Sequence, residues 1–124
     1  MVVGVDDDFR VRESLGSLLE SAGYKALMFS SAEEFLDSGM LAEAVCLITD
    51  VRMPGMDGIE LQRRIRLDRP GIAVVFLSAH VDEQFRRRAL EGGAIHFMYK
   101  PFDAAELLSA VDHASSNCPV KEES

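Results

Sequence analysis

Apolar and polar positions along this chain follow two alternating rhythms. Short, nearly continuous apolar runs occupy residues 1–5, 24–29, 45–49, 72–77 and 95–99, the pattern of parallel strands buried on both faces. Lys25 and Ala26 dilute the second run. Between the runs, apolar residues recur every three or four positions, as on the inward stripe of a helix. Val11, Leu15, Leu18, Leu19 and Ala22 form the first stripe, with Gly23 as its stop. Ser31-Ala32-Glu33-Glu34 reads as a capping box opening a short helix through Leu36 that ends near Gly39. Asp57 caps a helix that turns Leu61 and Ile65 inward and mostly sends Arg63, Arg64 and Arg66 outward before Pro70-Gly71 ends it. Asp82 opens a helix through Leu90, stopped by Gly92-Gly93. Asp103-Ala104-Ala105-Glu106 caps the last, whose stripe is Ala104, Leu107, Leu108 and Val111.

Five strand–helix alternations predict one doubly wound α/β domain, a parallel sheet covered by helices on both sides. Right-handed crossovers then place the C-terminal end of every strand on one edge. No repeat of solenoid length and no low-complexity segment interrupts the pattern. The domain is expected over residues 1–114, with 115–124 a polar tail or the start of a linker.

Composition narrows the classes. A length of 124 residues suits one core, and 48% hydrophobic with 27% charged residues suits a soluble globular protein. The apolar runs are far shorter than the ~20 residues of a membrane span, and no signal peptide is visible. Cys46 lies in an apolar run and Cys118 in the tail, without metal or redox spacing, so a reducing, cytoplasmic setting is expected. Thirteen basic side chains against 21 acidic ones leave a formal charge of −8, which argues against direct nucleic-acid binding.

The topology converts scattered polar residues into a candidate site. Strand one ends at Asp6 and Asp7, strand three at Asp50, strand four at Ser78 and strand five at Lys100. Carboxylates gathered on one edge repel one another unless a cation neutralises them. Oxygen ligands without His or Cys suit Mg²⁺, which also accepts a phosphate oxygen. Lys100 and the Ser78 hydroxyl suit the other oxygens of a phosphoryl group, and Asp50 can act as its nucleophilic acceptor.

Four marks in strand-end order carry a resemblance: Val5-Asp6-Asp7-Asp8, the run Asp50-Val51-Arg52-Met53-Pro54-Gly55-Met56-Asp57-Gly58, Leu77-Ser78-Ala79-His80, and Lys100-Pro101-Phe102. Over about residues 2–114 the chain resembles a response-regulator receiver domain of two-component signalling. The wording is most like receivers that precede a LuxR-type helix-turn-helix output domain. The resemblance implies a flavodoxin-like sheet of strand order 2-1-3-4-5. It implies Asp50 as phosphoacceptor, with Asp6, Asp7, Asp50 and the backbone carbonyl of Arg52 around Mg²⁺. Lys100 takes the lysine position, before a cis peptide to Pro101. Ser78 and Phe97 take the switch positions. The implied partners are a histidine kinase as phosphodonor and an output domain or downstream protein met through the face of the fourth helix, fifth strand and fifth helix. A homodimer formed on phosphorylation is a further implication. Gly4 stands where the family has a bulkier residue, which leaves the anchoring of strand one in question.

Plainer readings stand beside these. Asp8 is expected only to cap the first helix, and Phe97 to pack in the core. His80, His96 and His113 lack ligand spacing and are expected at the surface. Arg86-Arg87-Arg88 is expected to be a solvated face, because consecutive helical residues point in different directions. An enzymatic alternative is a haloacid-dehalogenase-like Mg²⁺ phosphohydrolase using Asp6 and Asp8; Arg10 and the absence of room for a substrate cap stand against it. A third reading, an interaction module that no longer uses phosphorylation, conflicts with the intact acids, Ser78 and Lys100.

Overall fold

The structure, a computed structural model, describes residues 1–116. Five strands, β1 (Val2–Val5), β2 (Ala26–Phe29), β3 (Cys46–Asp50), β4 (Ala73–Ser78) and β5 (His96–Tyr99), alternate with five helices. The helices are α1 (Phe9–Ser21), α2 (Ala32–Ser38), α3 (Gly58–Asp68), α4 (Glu83–Glu91) and α5 (Ala104–Ser116). A 3₁₀ turn at Met40–Glu43, which the apolar pattern does not announce, carries the chain from α2 toward β3. α5 runs two residues past the expected boundary at 114; Cys118 and the rest of the tail lie outside the described residues.

All strands are parallel, in the order β2-β1-β3-β4-β5. This is the expected sheet. β1 is an interior strand and is not loosely held: all four of its residues are buried, and Met28 and Leu15 fill the space over Gly4.

Two apolar layers follow from the two faces of the sheet. Val3, Val5, Leu47, Val74 and Phe76 pack against Phe35 of α2, Leu61 and Ile65 of α3, and Ala89 of α4. Val2, Cys46, Ile48, Val75, Leu77 and Met98 pack against Leu15 and Leu19 of α1 and Leu107 and Val111 of α5. Side chains alternate along each strand, so neighbouring residues serve opposite layers.

The expected caps are present. Asp8, Ser31, Asp57 and Asp82 each accept a backbone N–H from the first turn of the following helix, and Asp103 accepts one from Glu106. Gly58 opens α3 against the strand end it follows. A Cβ there would lie 2.1 Å from the Asp50 carbonyl oxygen, so only glycine lets the helix start so close to β3.

Candidate functional site

The parallel sheet brings the strand ends together as expected. One carboxylate oxygen from each of Asp6, Asp7 and Asp50 lies within 4.8 Å of the others. Asp6 and Asp50 are buried, whereas Asp7 is exposed at the rim. The Lys100 ammonium reaches in from the end of β5, 2.8 Å from Asp6 Oδ2 and 3.3 Å from Asp50 Oδ2.

The local chain holds Asp6 firmly. Its Oδ1 accepts the Asp8 N–H at 2.8 Å, and its carbonyl accepts the Arg12 guanidinium at 2.8 Å. Oδ2 is buried without an aligned hydrogen-bond donor and meets Lys100 as a bare charge contact. Asp50 sits at the last position of β3, where the next amide, Val51 N–H, bonds to Leu77 on β4.

One lysine against three carboxylates leaves negative charge in excess. Burial pushes the Asp50 carboxyl up to about 6, with the charge of Asp6 adding to the shift and Lys100 opposing it. Burial pulls Lys100 downward, but its contact with Asp6 and the charges of Asp50 and Asp6 outweigh that and raise it overall. The excess of negative charge contributes to both shifts, behind burial in the case of Asp50. An all-oxygen donor set with an undercompensated buried oxygen fits a hard divalent cation such as Mg²⁺.

Ser78 is buried at the end of β4, and its hydroxyl faces the β4–α4 loop, donating to the His80 carbonyl at 2.8 Å and accepting the His80 N–H at 3.1 Å. Phe97 is half-buried in β5, stacked on Phe76 with centroids 6.0 Å apart and edge-on to Tyr99 at 5.5 Å. Lys100-Pro101 is cis, as the resemblance implies. His80 and His113 are exposed, and His96 at the surface pairs with Glu106.

Asp8 does not join the carboxylate group. It is exposed, caps α1 through the Arg10 N–H at 2.9 Å, and so gives a hydrolase built on Asp6 and Asp8 no second carboxylate.

Two side-chain contacts beside the site escape sequence reasoning. The Arg52 guanidinium pairs with Asp82, the cap of α4, at 3.3 Å and stacks over Phe85 at 4.8 Å. Glu33 in the first turn of α2 accepts the Met56 N–H at 2.9 Å, tying α2 to the loop after Asp50. The capping signature points to Glu34, which does turn back to the Ser30 N–H at 2.7 Å, and says nothing of its neighbour.

Comparison with known proteins agrees with this geometry. The model of the response regulator receiver domain matches residues 2–112. The chain is 42% identical over 107 residues to the transcriptional regulatory protein FixJ of Azorhizobium caulinodans, covering 86% of this chain and 51% of FixJ. It is 43% identical over 120 residues to the response regulator protein TmoT of Ectopseudomonas mendocina, covering 96% and 54%. The chain therefore spans about half the length of the curated relatives it matches. Among solved structures, the response regulator StyR superposes with a TM-score of 0.87 at 41% identity over 98% of this chain and 62% of StyR. A CheY-like receiver from Methanospirillum hungatei, at 23% identity, shares the fold with a TM-score of 0.86 over 99% of this chain and 97% of that one. A sheet of this order with this match along its length has one family: the chain belongs to the response regulator receiver domains of two-component systems.

Proposed function

We propose that Asp50 is the phosphoacceptor of a signalling switch. The carrying observation is its position: a carboxylate at the end of the central β3, flanked by Asp6, Asp7 and the Lys100 ammonium. An Asp50 oxygen attacks phosphorus of a phosphohistidine on a partner histidine kinase; the new O–P bond gives an aspartyl phosphate as the P–N bond breaks. Asp6, Asp7, Asp50 and the Arg52 carbonyl would hold Mg²⁺, which when bound supplies neutralising charge for the transferring group. Lys100 and Ser78 take the phosphoryl oxygens. For Ser78 this means leaving the His80 backbone, so the loop before α4 moves with it. Phe97, half-buried beside Phe76 and Tyr99, follows by packing inward.

The phosphoryl group acts by binding one of two conformations better, and it shifts the balance only by that difference. The changed face of α4, β5 and α5 then meets an output domain, a downstream protein or a second copy. The FixJ relatives are transcriptional regulators, which supports transcription control as the output. The domain works in the cytoplasm, with phosphotransfer and autodephosphorylation as its only chemistry. Among the described residues no helix is long and apolar enough to cross a membrane.

The test is Mg²⁺-dependent labelling by acetyl phosphate, followed by intact mass and peptide mapping. One phosphoryl group on Asp50, absent from Asp50→Ala, is expected. Undiminished labelling of Asp50→Ala, or labelling of Asp6, overturns the assignment.

A further inference from the structure

The loop after Asp50 is anchored at both ends: Val51 N–H bonds to Leu77 of the neighbouring β4, Gly58 N–H at the start of α3 bonds back to Val51 at 2.8 Å, and Met53 is buried in the core. Between these anchors the chain must turn, and Gly55 does so with φ +78° in the left-handed region. There α2 reaches across. Glu33 Oε2 accepts the Met56 N–H at 2.9 Å and lies close enough to Gly55 that a Cβ would sit 2.7 Å from the same oxygen.

We infer that Glu33 is a positioning residue for the proposed metal site, clamping the Asp50–Gly58 loop so that the Arg52 carbonyl is presented to the cation. The inference rests on the Mg²⁺-assisted phosphoacceptor function proposed above. Outer contacts of this kind orient ligands that are themselves flexible, and a backbone carbonyl four residues from the clamp is such a ligand. Gly55 is the condition for the contact, since a side chain there would displace the carboxylate.

Glu33 and Glu34 share the first turn of α2 and would serve its dipole alike, yet they divide the work. Glu34 closes the capping box on Ser30, whereas Glu33 turns outward to another element 23 residues further along the chain. The Met56 N–H, with the α2 backbone second, holds the Glu33 carboxyl below its ordinary value, consistent with a carboxylate engaged as an acceptor although exposed.

The pair supplies its own control. Glu33→Ala, Glu33→Gln and Glu34→Ala are compared for Mg²⁺ affinity by calorimetry and for amide exchange at Met56 by NMR. The amide readout needs no metal and no phosphorylation. Glu33→Ala is expected to accelerate Met56 exchange and to weaken Mg²⁺ binding about tenfold, the low end for outer-shell partners. Glu33→Gln keeps an amide oxygen acceptor and should restore most of both. Glu34→Ala removes the same charge and should leave Met56 exchange and Mg²⁺ affinity within about twofold. Met56 exchange unchanged by Glu33→Ala overturns the clamp. Faster exchange with unchanged Mg²⁺ affinity, or an equal loss in Glu34→Ala, overturns its role at the metal site. Wild-type protein that fails to bind Mg²⁺ while Met56 responds to Glu33→Ala overturns the Mg²⁺-dependent phosphoacceptor reading and the metal role together, and identifies the clamp as structural.

Discussion

The two halves of the carboxyl edge are built differently. On the acceptor side, Asp6 and Asp50 are buried at the ends of the adjacent inner strands β1 and β3, and Lys100, 15% exposed, reaches both. On the reading side, α4 contributes one buried residue, Ala89, β5 buries only Met98, and Val81 in the preceding loop is 85% exposed. Phosphoryl transfer requires charges fixed in advance, because groups that must reorganise during the reaction lose much of their effect. A switch requires the opposite, elements with few buried contacts that move at little cost. Under the proposed function, these two demands fall on different places, the first in the middle of the sheet and the second at its edge.

Removing Lys100 should break the acceptor side most severely after Asp50 itself. Lys100→Ala leaves Asp6 and Asp50 facing one another without their ammonium. Acetyl phosphate labelling should fall on the order of 10²-fold. Stability at pH 7.5 should fall by about 2 kcal/mol, less than for a fully buried pair because the lysine is partly solvated. Labelling near the wild-type rate would show that the acceptor side is not held by this charge.

Asp50 offers a second test in which the sign matters. Its folded-state value near 6 lies above the ordinary 3.8, so the folded protein binds this proton more tightly than the unfolded chain. The stability that follows is complete below pH 3.8 and is lost as pH rises through 6. In chelator, Asp50→Asn should therefore match wild type near pH 3.5. Above pH 7 it should exceed wild type by on the order of 1–3 kcal/mol, from about two pKa units at 1.36 kcal/mol each. Urea unfolding across this range checks it; a gap that widens toward acid contradicts the strained-carboxylate account.

Changes on the reading side should be milder and should spare the chemistry. Phe97→Leu keeps an apolar side chain beside Phe76 and should cost about 1 kcal/mol or less in thermal unfolding. Labelling should stay within about twofold, while the NMR response of α4 and β5 to beryllofluoride should diminish. A large loss of labelling would merge the two sides. Smallest is Arg52→Ala, which retains the backbone carbonyl. It removes an exposed ion pair and a stacking contact worth about 0.5–1 kcal/mol together. Amide exchange in the first turn of α4 should accelerate, with Mg²⁺ affinity within about twofold.

Much of the fold was legible because it rests on local chemistry. Apolar runs marked all five strands. β1, β3 and β4 are buried on both faces and have no polar side to confuse the pattern. The edge strands β2 and β5, expected to be buried likewise, are only partly covered yet still apolar. Caps such as Asp8, Ser31 and Asp57 marked helix starts, because the first-turn amides seek an acceptor a few residues away. The Met40–Glu43 turn left no such mark; it uses backbone bonds that many sequences can make. In the site, Asp6, Asp7, Asp50, Ser78 and Lys100 were legible because each ends a strand and parallel crossovers allow only one edge for them.

By itself the sequence determined the alternation of strands and helices and which polar residues reach the carboxyl edge, since both depend on periodicity and chain direction. The tertiary structure decided how those residues divide the work. Asp8 turned to its own helix while Asp7 stayed with the carboxylates, although the two are adjacent in the chain. Glu33 reached Met56 and Arg52 reached Asp82 across 23 and 30 residues. Such contacts depend on distances between packed helices and loops, and no local pattern in the chain encodes those distances.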